Sequence, residues 1–504
     1  MAPSDNQQDL VTNRGLSAKK QVAEASQTSQ ASESTEPNQA PQRSAARQAA
    51  DSERRFLLTQ PVSSLLQRFA VPSIIALLIS SLYNFVDQVF IGSYVGQLGN
   101  AATNVSFPFT TICLSLALLI GIGTAARYSL FLGAGKRREA RSLIGNSFFL
   151  LILAAVIFFV VNISFLDYFL GLFAVTPEIY PYAHDYSLIC AFGFPVLLIQ
   201  IAICAIIRAD GSPRYSMIVI TIGAVVNIVL DPIFIKLLGL GIRGAAYATI
   251  IGQFISFFAS IAYLPRMQFI KLRWRDLHLS WRESIDTAAM GLSNFMNQFI
   301  ITLVIVILNN SLRYYGSQTI YGANIPLSAC GIVMKINSIL IAFMVGISQG
   351  AQAIIGYNYG ARAFDRVKKT YWLAIRAAFV ISLILYIFIE ILPHWPISLF
   401  GKDEEMYFNF SIQFMRIFLF GAPLIGNQII SSNFFASIGK PFKGLMLSMT
   451  RQLIFLIPLL LLLPRIWGLY GLLYAAPISD IASFLVTEFF VLREMRHIDQ
   501  LAAA

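Results

Sequence analysis

The sequence predicts an all-α, polytopic membrane protein in which twelve transmembrane helices form two six-helix bundles. Three observations support this fold class. Of the 504 residues, 56% are hydrophobic and 12% are charged, whereas a soluble protein has about 25% charged residues. From residue 61 onwards, apolar segments follow one another, most of them at least as long as the ~20 residues that cross a bilayer. Finally, the second half of the chain repeats motifs of the first half.

Short polar breaks separate the predicted helices. The approximate helix spans are 64–91, 105–131, 142–165, 182–207, 214–236, 243–264, 285–311, 324–354, 368–391, 408–433, 443–463 and 468–492. The break at 265–283 is the longest of the basic breaks, and it falls between the sixth and seventh helices. We therefore expect an amino-terminal bundle over 60–264, a linker over 265–283 and a carboxy-terminal bundle over 284–495.

Residues 1–53 differ from the rest of the chain. They are rich in Ser, Gln, Ala and Glu and contain almost no large apolar residue, so no apolar signal segment is present. Such a composition cannot bury a core and predicts a disordered cytoplasmic tail. Regulation by the tail and an inert extension are both open, and the composition favours the extension.

The charges in the breaks predict the orientation of the chain. The alternate breaks assigned to the inner side, with the end of the chain, hold 19 Lys and Arg, and those assigned to the outer side hold five. Cytoplasmic loops carry the excess of Lys and Arg, so both termini are expected in the cytoplasm. The same loops account for the net charge of +11, and no nucleic-acid partner is needed to explain it.

Three motif pairs indicate an internal duplication. GIGTAARYSLFLGAG near the end of helix 2 matches GISQGAQAIIGYNYG near the end of helix 8. ADGSPRY after helix 4 matches SIGKPFK after helix 10, and LGIRGAAYA before helix 6 matches WGLYGLLYA before helix 12. Six helices return the chain to its starting side, so both halves run in the same direction about an axis along the membrane normal. We expect a cavity between the halves at mid-membrane.

An acidic stretch interrupts the fifth helix, where residues 225–236 read VVNIVLDPIFIK. An aspartate in lipid costs about 2.5–3.5 kcal/mol, so Asp231 is expected to face the bundle interior or a water-filled cavity. Asn227 precedes Asp231 by four residues, which places both on one face of a helix. Pro232 frees a carbonyl one turn earlier and is expected to kink the helix. Together these residues predict a cation or proton site.

Other polar residues within the apolar segments support weaker hypotheses. Four are candidates for lining a substrate cavity, and interhelical hydrogen bonding is the alternative for each. They are Asn294 and Gln298 in helix 7, and Lys335 and Gln349 in helix 8. Arg416 and Arg451 are expected to reach the membrane interface by extending their side chains along the helix.

No residue pattern in the sequence predicts a catalytic or metal centre. The four His are scattered, the four Cys lie in apolar segments, and there is no H-E-x-x-H motif. An intramembrane enzyme acting on lipids would need a nucleophile with a base, or a metal constellation. We therefore expect no enzymatic activity, no cofactor and no obligate protein partner.

Several motifs, in order along residues 60–495, resemble those of one family. They are FAVP at 69–72, LYNFVDQVFIG at 82–92, GIGTAARYSLFLGAG at 121–135, NIVLDP at 227–232, GAAYAT at 244–249 and QGAQAIIGYNYGAR at 349–362. In this set the chain resembles the MATE (multidrug and toxic compound extrusion) transporters, especially the bacterial DinF-like branch. The resemblance implies two six-helix bundles around a V-shaped cavity in the plasma (inner) membrane. It also implies export of bulky, often cationic, drug-like compounds by antiport against H⁺ or Na⁺.

The same resemblance implies the residues of an ion-coupling site in the amino-terminal bundle. They are Asp87 of helix 1, Asn227 and Asp231 of helix 5, and Thr249 of helix 6, with Pro72 as the proline that bends helix 1 on protonation. Na⁺ is an alternative ligand of Asp87, Asn227 and Asp231. Some relatives use acidic residues in helices 7 and 10. Here helix 7 has only Asp286, at its cytoplasmic end, and helix 10 has no carboxylate, so we expect no second site.

The chemistry of the residues agrees with such a site. A poorly solvated aspartate disfavours its charged form, and two nearby carboxylates resist simultaneous ionisation, which suits a proton carrier. Asn227 and Thr249 are expected to satisfy the remaining lone pairs or to complete an Na⁺ shell. The alternatives are that Asp87 is a solvated, structural carboxylate at the outer interface, that Asp231 is a helix-end aspartate near the same interface, and that Thr249 bonds within its own helix.

One other transport function stays open. Flippases of lipid-linked precursors belong to the same wider superfamily, and they often have extra helices and strongly cationic cavities. Twelve predicted helices and a paired-carboxylate site favour efflux of small organic compounds over this alternative.

Overall fold

The computed structural model describes residues 56–172, 177–272, 276, 278–322, 324–398 and 405–503. The predicted tail at 1–53, part of the linker and most of the 401–405 break lie outside the described residues. Within them, eleven helices are long and apolar enough to cross a membrane, and a bent pair of shorter helices supplies a twelfth span. The predicted all-α membrane fold is confirmed, with twelve spans when the bent pair is counted as one.

The first half contributes six long helices, of which the first four begin before their predicted apolar spans and the last two end before theirs. They are α1 (Val62–Tyr94), α2 (Gln97–Gly133), α3 (Arg137–Ser164), α4 (Tyr180–Ala209), α5 (Pro213–Pro232) and α6 (Gly241–Ile261). The largest extension is at the start of α2, where the Thr103 hydroxyl donates to the Asn100 carbonyl oxygen at 3.0 Å. Hydropathy identifies only the apolar part of a helix, whereas the backbone hydrogen bonds of the helix can continue through polar residues at its ends.

The second half contributes the other six spans. They are α7 (Trp281–Gly316), α8 (Asn324–Gly360), α9 (Phe364–Ile391), α10 (Glu405–Phe418 and Ala422–Ser437), α11 (Pro441–Met449 and Ile457–Trp467) and α12 (Leu469–Ala503). The two parts of α10 meet at an angle of 46°. At this bend Gly421 packs so closely on α12 that a Cβ atom would collide with the Asp480 carboxylate, which explains why glycine is required there.

The fifth helix of each half changes its winding beside a buried polar residue. After Pro232, α5 continues as a π-helical turn over Ile233–Leu237. The expected kink at Pro232 therefore takes the form of a wider turn. In the second half, a π-helical segment at Thr450–Leu456 joins the two parts of α11. Such turns are frequent at functional sites because they leave backbone groups without their usual partners.

Helices α1 and α2 of the first half pack on α7 and α8 of the second half. This junction is closest near the end that bears the α2–α3 and α8–α9 connections, here called the basic end. A Cβ atom on Gly133 would collide with the Tyr357 carbonyl oxygen, and one on Gly360 would collide with that of Leu130. Small residues allow such close approach of helices in lipid, so the halves are tightly joined at the basic end.

Candidate functional site

Packing of α1 against α5 brings two carboxyl groups of the first half together. Asp87 is 9% exposed and Asp231 is fully buried. Their side chains lie within hydrogen-bonding distance of each other. The alternative that Asp87 is a solvated carboxylate is therefore wrong, whereas Asp231 is buried and also lies at the end of the α-helical part of α5. Since a carboxylate only accepts hydrogen bonds, a bond between the two groups requires that one of them carries a proton.

The site around this pair presents unpartnered acceptor oxygens. Within the described part of the chain, Asp87 Oδ1, both carboxyl oxygens of Asp231, and Asn227 Oδ1 have no hydrogen-bond donor. Buried polar atoms nearly always have a partner, so four bare acceptors in one place need an explanation. A bound proton or cation would interact favourably with these acceptor oxygens, whereas an anion would be repelled by them.

Asn227 and Thr249 contact each other. The Asn227 Nδ2 donates to Thr249 Oγ1 at 3.3 Å, which ties α5 to α6. One N–H group of the Asn227 amide is thus used by Thr249, and the amide oxygen has no donor among the described residues. The expectation that Asn227 and Thr249 satisfy the lone pairs of Asp231 is wrong for this conformation, because both Asp231 oxygens are bare.

Three further residues surround the pair and were not identified from the sequence. Tyr83 of α1 lies close enough to interact electrostatically with Asp87 and Asp231. Tyr186 and Cys190 of α4 lie close enough to interact with Asp87. Two spacings point to them, since Tyr83 precedes Asp87 by four residues and Tyr186 precedes Cys190 by four. Which face of α4 meets α1 is decided only by packing.

Pro72 lies far from the carboxyl pair, at the junction between the halves. It is buried in α1, about four turns before Asp87, and α1 continues through it as one helix. On either side of Pro72, a Cβ atom on Gly350 of α8 would lie 2.7 Å from the Ala70 nitrogen, and Gly346 is packed on Ile74. Any bend at Pro72 would therefore alter the contact between α1 and α8.

The four candidates for a substrate cavity occupy different places. Asn294 donates to Asn433 Oδ1 at 3.2 Å, within the second half, and Gln298 is half-buried on α7. Lys335 Nζ lies 5.3 Å from the ring centroid of Phe85, a neighbour of Asp87 on α1. Gln349 lines a small cavity between α2, α4 and α8. The structure does not bring the four together.

The second half contains a buried ion pair that was not anticipated. Arg451 Nε donates to Asp480 Oδ1 at 2.5 Å, and both side chains are buried. The expectation that Arg451 extends to the membrane interface is therefore wrong, whereas Arg416 is half-exposed and pairs with Glu390. On α12, Glu488 accepts a hydrogen bond from Asn427 of α10 at 3.0 Å. Asp480 and Glu488 thus each have at least one donor, unlike Asp231.

Two repeated helical halves, with a buried carboxyl pair in the first, define the class: a multi-pass membrane protein of duplicated six-helix bundles. Comparison with known families then identifies the chain. The profile of the MatE family matches residues 72–233 and 320–462. The chain belongs to the MATE family, as its motifs predicted.

Curated relatives are similar over most of their length. The FAD transporter of Shewanella oneidensis is 24% identical, covering 85% of this chain and 94% of the relative. The probable multidrug resistance protein YoeA of Bacillus subtilis is 24% identical, covering 73% and 80%. The multidrug export protein MepA of Staphylococcus aureus is 22% identical, covering 89% and 98%. These relatives are transporters and not enzymes, in agreement with the prediction of no enzymatic activity.

Solved structures share the fold. An outward-facing multidrug resistance MATE transporter superposes with a TM-score of 0.83 at 22% identity, covering 88% of this chain and 98% of that one. A MATE protein in a bent conformation superposes with a TM-score of 0.82 at 22% identity, covering 90% and 99%. At this identity the likeness establishes the MATE fold.

Proposed function

We propose that this MATE transporter exports bulky organic compounds across the plasma membrane in exchange for H⁺ or Na⁺, with Asp87 and Asp231 as the coupling pair. The observation that carries the proposal is the set of four bare acceptor oxygens on Asp87, Asp231 and Asn227. A buried site that presents hydrogen-bond acceptors without donors or a neighbouring positive charge is suited to bind a proton or a cation.

The mechanism is alternating access. A proton or Na⁺ arriving from outside neutralises the pair and releases substrate outward. Release of the ion to the cytoplasm restores a negative charge, which attracts the next cationic substrate. Pro72 links the two events, because it lies within the α1–α8 contact and on the same helix as Asp87. An ion can drive this exchange only if it binds the two conformations with different affinity.

The close packing of the halves at the basic end supports the interpretation that the transporter is in an outward-facing conformation. Both termini and the basic end are on the cytoplasmic side in this proposal, following the distribution of Lys and Arg. The halves are then closed towards the cytoplasm in the present conformation. A solved relative with the same fold is described as outward-facing, which agrees with this assignment.

The same geometry favours H⁺ as the coupling ion. Two ionised carboxylates at hydrogen-bonding distance repel each other, whereas a shared proton turns the contact into a bond. Na⁺ is the second choice, because it takes oxygen ligands and Asn227 offers a neutral one beside the pair. Small organic substrates agree with the relatives named as multidrug export proteins and as an FAD transporter.

Efflux of ethidium from proteoliposomes tests this proposal, with a proton gradient and a sodium gradient imposed separately. We expect one gradient to drive efflux in the wild type and Asp231→Asn to abolish it. Asp167→Asn is the matched control, because the Asp167 side chain is 73% exposed and lies outside the site. Full ion-driven transport by Asp231→Asn would refute the site. No response of the wild type to either gradient would instead favour a lipid flippase.

A further inference from the structure

A second polar cluster lies at the junction of the halves, close to the basic end. It lines a cavity of about 10 Å³ enclosed by α2, α4 and α8, which is room for about one water molecule. Its polar lining comes from Ser129 of α2, Arg208 of α4, and Gln349 and Gln352 of α8. Both halves of the molecule therefore contribute walls to this cavity.

Arg208 carries a positive charge into the cavity without a carboxylate to balance it. Its Nη1 donates to the Ser216 hydroxyl at 3.0 Å. Among the described residues, no carboxylate forms an ion pair with Arg208, in contrast to Arg127 and Arg451. Arg208 is partly buried, and a charge that is partly removed from water without a counter-charge is costly, so Arg208 is available to a partner that is not part of the fold.

The neighbouring side chains offer hydrogen-bond donors to the same cavity. Gln352 is 6% exposed and Ser129 is 1% exposed. Among the described residues, Gln352 Nε2 and Ser129 Oγ have no hydrogen-bond partner. An amide nitrogen donates and does not accept, and a hydroxyl can donate. With the guanidinium fork of Arg208, the available groups suit an anion, the opposite of the bare acceptors at Asp87 and Asp231.

We propose that Arg208, Ser129 and Gln352 form a subsite for a phosphate ester group that is loaded from the cytoplasm. The guanidinium supplies a planar fork that matches phosphate geometry, and the hydroxyl and amide complete the shell. The inference rests on the proposed transport function, because the cavity opens to the cytoplasm only when the halves separate at the basic end. It widens the substrate class from cations to compounds that carry a phosphate.

The size of the cavity explains how such a subsite would release its ligand. In the present conformation the space holds about one water, so a phosphate group does not fit. Closure of α8 onto α2 and α4 therefore expels the group as the basic end shuts. Loading and release are coupled to the same movement of the halves that carries the transport cycle.

The test compares two flavins that differ by one phosphate, riboflavin and flavin mononucleotide. Their binding to the full-length protein is measured by flavin fluorescence in nanodiscs of neutral lipid, where binding itself draws the population towards the open form. We expect the wild type to prefer flavin mononucleotide, and Arg208→Gln to reduce that preference about tenfold or more, as the loss of a charge-assisted contact predicts. Riboflavin affinity reports whether the variant is folded.

Matched variants separate the subsite from charge in general. Arg214→Gln removes an exposed arginine at the start of α5 and is expected to keep the preference. Ser129→Ala and Gln352→Leu each remove one donor and are expected to lower it by a smaller factor, which keeps the test decisive if Arg208→Gln does not fold. If the wild type and these variants prefer flavin mononucleotide over riboflavin to the same degree, the subsite does not bind the phosphate of a flavin. The proposal is then overturned unless phosphatidic acid stabilises the wild type through Arg208.

A phospholipid headgroup offers the same chemistry from a different source. The second arm therefore measures the gain in melting temperature when phosphatidic acid is added to the nanodiscs. A gain that is lost in Arg208→Gln assigns the subsite to lipid, and a flavin preference assigns it to substrate. If neither responds, the proposal is wrong. Failure of ethidium efflux in the wild type is a separate result, which refutes the antiport and leaves both phosphate measurements interpretable.

Discussion

Arg127 of α2 pairs with Asp286 of α7 at 3.3 Å, across the junction between the halves. The same guanidinium donates to the Glu283 carbonyl oxygen at 2.8 Å and to Thr287 Oγ1 at 3.1 Å. The first turns of α7 thus hold one arginine of the other half with three acceptors. These contacts fasten the basic end, which opens to the cytoplasm in the transport cycle that we propose.

Asp286→Asn is expected to shift the population towards the form that is open at the basic end. The Asp286 side chain is 55% exposed, so its ion pair contributes at most about 1 kcal/mol, or roughly a fivefold change in population. Distances between spin labels on α2 and α7 at the basic end measure the shift. Asp365→Asn is the control, because Asp365 is 93% exposed and pairs within α9. Identical distance distributions for Asp286→Asn and the wild type would contradict the prediction.

Thr249→Val is expected to weaken ion coupling without abolishing it. The substitution keeps the shape and removes the hydroxyl that accepts from Asn227 Nδ2. A lost hydrogen bond of this kind is worth about 0.5–1.5 kcal/mol, which predicts an apparent ion affinity weaker by about twofold to thirteenfold at an unchanged maximal rate. Thr249→Ser should restore the affinity. Complete loss of efflux in Thr249→Val would show instead that the hydroxyl binds the ion directly.

Asp480→Ala is expected to destabilise the second half severely. It leaves the buried Arg451 guanidinium without its counter-charge, which costs about 3–5 kcal/mol. Replacement of both residues, Arg451→Met with Asp480→Leu, removes both charges and should recover much of the loss. Melting temperature in detergent measures both variants. Ion selectivity should be unchanged in the double variant, and an altered selectivity would place this pair in the coupling site.

Asp210 predicts a pH dependence of stability at the basic end. It lies between α4 and α5 and accepts hydrogen bonds from Tyr128, Tyr263 and the Gln268 and Phe269 amides. Burial raises the pKa of Asp210 to about 6, although these donors oppose the shift. The folded protein then holds a proton that the unfolded chain has lost, so the contribution of Asp210 to stability is greatest below pH 4.

As the pH rises from about 4 through 6, this contribution is lost, because the folded protein must accept the buried charge. A shift of about two pKa units corresponds to about 3 kcal/mol. We expect the melting temperature of the wild type to fall across this range by more than that of Asp210→Asn, which carries no titrating proton. Equal slopes for the two proteins would contradict the assignment of the shift to Asp210.

Local patterns in the chain were sufficient to predict much of the fold. Apolar runs set the number of spans, because a helix that crosses lipid must be apolar over about 20 residues. The motif pairs predicted the duplication, and the four-residue spacing of Asn227 and Asp231 predicted a shared helix face. Both features are visible in the order of residues along the chain, and neither depends on which helices lie side by side.

Contacts between distant segments could not be predicted in this way. The choice of α4 residues facing Asp87, the pairing of Arg451 with Asp480 and the exposure of Arg208 to the α8 amides all depend on helix rotation and crossing angle. Similarly, hydropathy cannot indicate a π-helical turn or the 46° bend in α10, because neither changes the composition of the segment.

The sequence by itself determined the membrane class, the two halves, the family and the acidic residues of the first half, because each follows from composition or from short-range spacing. The tertiary structure alone decided that Asp87 and Asp231 lie side by side and that the halves are tightly packed at the basic end. It also decided that Arg451 pairs with Asp480, whereas Arg208 forms no ion pair with any described residue. These features depend on how side chains of different helices meet, which is set by the packing of the whole bundle.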